Sequence, residues 1–236
     1  PRADQARFIN STEQFLKLLT EARRQMAETG MRRYGVAPHS LRAVSHESLT
    51  QLLAGLEPDF AGCPIHIHIA EQTAEVEACL STYGARPVQW LLDAMPVNDR
   101  WCLVHATHML NSEVAGLAAT RAVAGLCPTT EANLGDGVFP AEAFLNAGGR
   151  FGVGSDSHIS VCWRSELRLL EYSQRLTARR RNVLAGPQQP QVADYLFQGA
   201  LEGGSQATGR NVRGLAPGQQ ADFVVLDDTH PHLAAR

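Results

Sequence analysis

The sequence predicts an α/β fold, a parallel sheet of the kind found in a (β/α)8 TIM-like barrel, with only about strands four to eight present. Three observations lead there. Short apolar strands alternate with helical stretches, which is the pattern of parallel βα units. Residues able to do chemistry stand at the C-terminal ends of those strands, where a barrel presents its active face. The alternation stops after five strand–helix units, and a Gly/Pro-rich turn then feeds a hydrophobic strand of a different kind, read as the entry to a small β domain. The expected division is 1–205 for the partial barrel and 206–236 for that entry.

Each element has its own signal. Ser11 to about Thr29 reads as a helix with Phe15, Leu18 and Leu19 on one face and Gly30 as its stop. Tyr34–Pro38 reads as the first strand, ending at His39, and Ser45 then caps a helix carrying Leu49, Leu52 and Leu53. Pro64-Ile65-His66-Ile67-His68-Ile69 alternates at the two-residue period of a strand, so His66 and His68 share one face and the isoleucines the other. Helical stretches follow over Thr73–Tyr83 and Pro87–Met95, with Pro87 suited to a first turn. Trp101–His105 is the third strand, followed by a helix from Ser112 to about Thr120. Ala122–Cys127 is the fourth and runs into Pro128-Thr129-Thr130-Glu131-Ala132-Asn133, read as a loop. A helix from near Pro140 stops at Gly148-Gly149, and the fifth strand, from Arg150, ends at Asp156. A long helix then runs from about Arg164 towards Arg180, with more helix after Gly186-Pro187. Gly214–Asp227 is the turn and closing strand.

Composition narrows the function classes. With 236 residues, 44% hydrophobic and 19% charged, the chain can bury one good core. A formal charge of −3 gives no reason to expect nucleic acid or an anionic membrane as partner. The basic cluster Arg175, Arg179, Arg180 and Arg181 suits a solvated helix end, where it complements the dipole. Five scattered cysteines without a Cys-x-x-Cys read as reduced thiols and a cytoplasmic location, and they exclude a Cys-ligated deaminase zinc site. No apolar run approaches the roughly twenty residues of a membrane span.

The chemistry concentrates at three strand ends. His68 stands three positions before Glu71, and a turn between them would swing the carboxylate over the site the imidazole faces. A neutral imidazole binds a zinc-like ion, and a nearby unligated carboxylate can move protons for it. His105 and Asp156 close the next candidate strands, and a His, His, Asp series of this kind points to a metal-dependent hydrolase. His66 is expected inside the barrel, and His108 and His158, in loops of the active face, are open to either a shaping role or chemistry. His46, His230 and His232 are expected at the surface, and Glu131 and Asn133 are open to either a substrate contact or a loop role.

The ordered set His68-x-x-Glu71, His105 and Asp156, with the Gly214–Asp227 turn and strand, resembles the amidohydrolase superfamily. Within it, the strings Arg7–Ser11, Ala37–Val44, His66–Gln72, Cys102–His108, Leu126–Gly137 and Gly154–Ser160 are similar to the formimidoylglutamate deiminase branch. The resemblance implies zinc-dependent hydrolysis of N-formimino-L-glutamate to N-formyl-L-glutamate and ammonia, in histidine degradation. Position by position, it implies that His68 and Asp156 ligate one Zn2+ or a similar divalent ion. His105 would hydrogen-bond the attacking water, and Glu71 would carry its proton to the leaving nitrogen. His39 and Arg42 would hold substrate carboxylate, a task suited to a guanidinium fork. The superfamily's first-strand His-x-His is expected upstream of residue 1, since two protein ligands are too few for a tetrahedral site with one open position. The expected partner is a small dicarboxylate, and open barrel edges would invite association between copies. Two other readings stay open: a guanine-deaminase-like or chlorohydrolase-like member acting on a neutral ring, and a truncated binding module without catalysis.

Overall fold

A computed structural model of the protein describes residues 9–231 and 233; Arg7, Phe8 and His232 lie outside them. Ile65, Ile67 and Ile69 are all buried, whereas His66 and His68 between them are half-buried. Burying an isoleucine is worth roughly 1.5–3 kcal/mol, so the period-two pattern fixes which face of this strand meets the helices. The strand, β1 (Ile65–Ile69), pairs in parallel with β2 (Trp101–His105), β2 with β3 (Val123–Leu126), and β3 with β4 (Arg150–Val153). Strand order follows chain order, as a run of βα units requires.

The expected strand at Tyr34–Pro38 is not continuous. It makes two isolated parallel bridges to β1, Val36 to Ile65 and Ser40 to His68. Pro38, which has no N–H, sits between them and interrupts the ladder. The segment still occupies the place of a barrel strand, with His68 N–H donating to the His39 carbonyl at 2.9 Å.

Nine helices lie among the described residues: α1 (Thr12–Gln25), α2 (His46–Phe60), α3 (Thr73–Tyr83), α4 (Pro87–Ala94), α5 (Asn111–Thr120), α6 (Pro128–Leu134), α7 (Ala141–Asn146), α8 (Trp163–Ala178) and α9 (Val192–Thr208). Ser11 caps α1 in a capping box with Gln14, and Ser45 caps α2. Helix α1 ends at Gln25, with Met26 as its C-cap, short of the glycine expected to stop it, while Gly84 closes α3 at φ 71°. The Pro128–Asn133 segment, expected as a loop, is the helix α6: Pro128 opens it and Gly135 closes it in the left-handed conformation. The Gly214–Asp227 stretch forms no strand, and Phe223, Val224, Val225 and Leu226 are all exposed. Helix α9 packs its Gly203 against the β4 backbone, where a Cβ would land on the Phe151 carbonyl. Among the described residues no helix is long and apolar enough to cross a membrane.

Candidate active site

The C-terminal ends of the strands carry unusual backbone. Ala70 (φ 48°), His105 (φ 70°), Ala106 (φ 48°) and Asp156 (φ 48°) all adopt the left-handed region without being glycine. Each such residue costs of order 1–3 kcal/mol, and such residues gather where function requires them. Here they turn three strand ends over the sheet. Ala70 lets the chain reverse so that Glu71, its N–H held by Glu75 Oε2 at 3.0 Å, returns towards β2.

The turns bring the predicted residues together. The His68 and His105 rings stack at 5.7 Å between centroids. His105 Nε2 lies 3.7 Å from Glu71 Oε1 and 4.0 Å from Asp156 Oδ2. His68 Nδ1 lies 2.8 Å from the His39 carbonyl, which accepts its proton and leaves Nε2 free for a ligand. The His39 ring lies tilted against His68 at 5.1 Å between centroids, and its Nδ1 is 2.9 Å from Ser40 Oγ. Arg42 Nη2 reaches Glu71 Oε2 at 3.4 Å, so the cation expected for substrate already faces the carboxylate expected to carry protons. An open cavity of about 780 Å3 beside this cluster is lined by His39, Arg42, Asn10, Ser11 and Phe15 among others.

Electrostatics separate the two rings. Burial alone pushes the His105 imidazole down, but the Glu131 hydrogen bond and the charges of Glu71, Glu131 and Asp156 outweigh it and raise the ring above the usual histidine value. For His39, burial first, then the His68 and Arg42 charges, push the imidazole below that value.

Other predicted histidines take lesser places. His66 Nε2 meets the Ala207 carbonyl at 2.8 Å, on the face of β1 opposite the isoleucines. His46 packs edge-on against Trp90 at 5.4 Å, and His158 Nδ1 lies 2.8 Å from Ser160 Oγ. His108 is half-buried with Nε2 unpartnered, and Asn133 is exposed.

Sequence reasoning left Glu131 undecided. It is buried, with Oε1 3.2 Å from His105 Nδ1 and 2.9 Å from the Cys127 N–H. The usable signal was its place four residues after Cys127, at the start of a helix that follows a strand end. His105, Cys127 and Glu131 offer donor atoms within 4.8 Å of one another, alone in this respect among the described residues. As a metal site the group is poor. Burial, with the charges of Glu131, Asp156 and Glu166, pushes the Cys127 thiol far above its usual value, whereas a metal needs the thiolate.

The model of the family described as "Amidohydrolase family" matches residues 2–235. The chain belongs to the amidohydrolase family. It is 50% identical over 231 residues to a formimidoylglutamate deiminase of Pseudomonas aeruginosa, covering 98% of this chain and 50% of that protein. A 5-methylthioadenosine/S-adenosylhomocysteine deaminase of Pelotomaculum thermopropionicum is 32% identical, covering 73% of this chain and 39% of the other. Among solved structures, an amidohydrolase from Brucella melitensis superposes with a TM-score of 0.91 at 48% identity, covering the whole of this chain and 51% of that one. An adenosine deaminase from Xanthomonas campestris with bound zinc superposes at 0.83 with 24% identity over 94% of this chain and 50% of that one, a likeness of fold alone. The chain spans about half the length of the relatives it matches. Its four parallel strands in chain order suit a segment of the barrel of that family.

Proposed function

We propose that the amidohydrolase to which this chain belongs hydrolyses N-formimino-L-glutamate to N-formyl-L-glutamate and ammonia, in the breakdown of histidine. The carrying observation is the meeting of Glu71, His105 and Asp156 beside Arg42, in a chain 50% identical to a formimidoylglutamate deiminase. That arrangement offers proton carriers next to a cation, as a linear amidine bearing carboxylates needs.

Zinc fits the donors. The free Nε2 of His68, whose Nδ1 is held by a carbonyl, and the Asp156 carboxylate would ligate it, with further ligands from outside these residues. When bound, such an ion lowers the pKa of water to roughly 7 and so supplies a nucleophile near neutral pH. The chain's own residues do the rest. His105 Nε2 accepts from or donates to the attacking water, while Glu71, within 3.7 Å of it, takes a proton and delivers it to the departing nitrogen. Proton transfer of this kind is typically worth about 100- to 10,000-fold. Arg42 and His39 line the cavity where the substrate's carboxylate would lie, and Arg42 reaches it by exchanging its long contact with Glu71.

Five free cysteines, four of them buried, suit a reducing compartment, and a cytoplasmic location belongs to the proposal. So does an entry to a second unit, although the expected 205/206 boundary falls inside α9 (Val192–Thr208), so the division lies after that helix. Its support is the run Phe223–Leu226, at least 66% exposed throughout, since four consecutive apolar side chains call for a partner surface. The reaction is tested by measuring ammonia release from N-formimino-L-glutamate in the complete zinc-loaded barrel. Release on that substrate supports the reading, and its absence with zinc bound rejects it.

A further inference from the structure

Glu131 is a buried carboxylate that the reaction described above leaves idle, and its surroundings restrict what it can do. Its Oε1 accepts the Cys127 N–H at 2.9 Å and lies 3.2 Å from His105 Nδ1. A carboxylate oxygen only accepts, so the proton of that contact belongs to Nδ1. The opposite nitrogen, Nε2, then faces Glu71 Oε1 at 3.7 Å and Asp156 Oδ2 at 4.0 Å. The turn that carries Glu131 is itself pinned. Thr130 Oγ1 donates to the Ser155 carbonyl at 2.7 Å and accepts the His158 N–H at 3.0 Å, tying the turn to the Asp156 loop. Thr129 N–H donates to Glu166 Oε2 at 2.9 Å, tying it to α8. Glu131 cannot swing away from His105 without giving up the Cys127 contact or moving a turn held at two other points.

We infer that Glu131 is a positioning residue: it holds His105 in the Nδ1–H tautomer, with the ring turned so that Nε2 addresses Glu71 and Asp156. The structural half stands by itself, and the catalytic half rests on the deiminase reading. Orientation of an imidazole by a buried carboxylate is how hydrolytic histidines are kept in their working tautomer. An unrestrained imidazole favours the Nε2–H form, so the inferred state is distinctive.

The test uses the 236-residue chain labelled with 15N-histidine and two-bond 15N–1H spectra. The His105 signals are identified by their loss in His105→Asn. At a pH where the ring is neutral, the wild type is expected to show Nδ1 protonated and Nε2 bare. Glu131→Leu should move His105 to the Nε2–H form, whereas Glu131→Gln, which keeps an acceptor oxygen, should retain Nδ1–H. A wild-type spectrum with Nε2–H overturns the inference even if the Leu variant fails to fold. So does Nδ1–H persisting in a folded Leu variant. Cadmium added to the wild type provides a second decision: an ultraviolet thiolate band that vanishes in Cys127→Ser would make Glu131 part of a metal site and overturn the inference. In the complete barrel, Glu131→Leu should lower kcat about 10- to 100-fold with KM within a few-fold, and Gln should recover most of the loss. A rise in KM with kcat unchanged contradicts positioning. Absent deiminase activity with the tautomer as stated would remove the deiminase reading and leave Glu131 holding His105.

Discussion

Glu71, Arg42 and Cys162 are the three side chains whose surroundings say most about what single substitutions will do. Glu71 stands 3.7 Å from His105 Nε2, so Glu71→Gln keeps its shape and removes its proton. In the complete barrel that change should lower ammonia release by about 100- to 10,000-fold while zinc, measured by metal analysis, stays bound. A few-fold loss would make Glu71 an ordinary carboxylate of the site mouth. Arg42 is within 3.4 Å of that same carboxylate, so it serves Glu71 in the free protein and would serve substrate only on binding. Arg42→Met should cost roughly 2–5 kcal/mol of transition-state stabilisation on formiminoglutamate and little on a formamidine without carboxylates. Equal losses on both substrates would mean that Arg42 acts by holding Glu71. Cys162 stands at the N-cap position of α8, where hydrogen bonding from Ser165 first and then Arg164 lowers its thiol to about 7. Burial instead pushes Cys79 up to about 11 and Cys102 up to about 12. Above pH 7 Cys162 is therefore largely thiolate, and iodoacetamide followed by peptide mapping should label it first, at a rate that falls as pH drops below 7. Labelling of Cys102 before Cys162 in folded protein would contradict this. At this scale the sequence was legible where a residue closes a strand: His68, His105 and Asp156 all stand where the apolar runs end. It left Glu131 undecided, because contact with His105 is made across 26 residues and a helix that reads as a loop.

The elements were legible wherever period or caps spoke clearly. The Ile/His alternation of β1 and the serine caps of α1 and α2 needed only local physics. The misreadings have local causes too. Pro38 removes a ladder donor and leaves bridges instead of a strand, and α6 is so short that its seven residues give no readable helical period. The contact between α9 and β4 could not be read from sequence at all, because Gly199, Gly203 and Gly204 look merely unfavourable in a helix. The structure separates them. A Cβ at Gly203 would collide with the Phe151 carbonyl, whereas one at Gly204 would meet nothing within 4 Å. Gly203→Ala should therefore destabilise by about 1–3 kcal/mol or more, lowering Tm by several degrees. Gly204→Ala should be neutral or stabilising by up to about 1 kcal/mol. Thermal melts of the two variants in this chain decide it, and equal melting points would mean that α9 does not pack on the β4 backbone as described.

At the scale of the molecule, parallel strands in chain order with chemistry at one end are what a barrel segment requires, and the alternation of apolar runs carried that much. What lay beyond sequence reading was how the segment closes its site. The strand ends turn through left-handed residues that no propensity favours, and α6 supplies the carboxylate behind His105. The site is asymmetric as a result. One flank, around Arg42 and His39, opens on a cavity of about 780 Å3, while the other, around Glu131 and Cys127, is buried. With Arg42 and His39 lining that cavity, the proposed carboxylate-holding role favours a linear amidine with carboxylates over a neutral purine ring. The measurement that tests this most directly is kcat/KM for ammonia release by the complete zinc-loaded barrel, compared between N-formimino-L-glutamate and 5-methylthioadenosine. The expected preference for the formimino substrate is at least about 100-fold, as when a site's charged group is left without its partner on the wrong substrate. Equal rates, or a preference for the nucleoside, would contradict it.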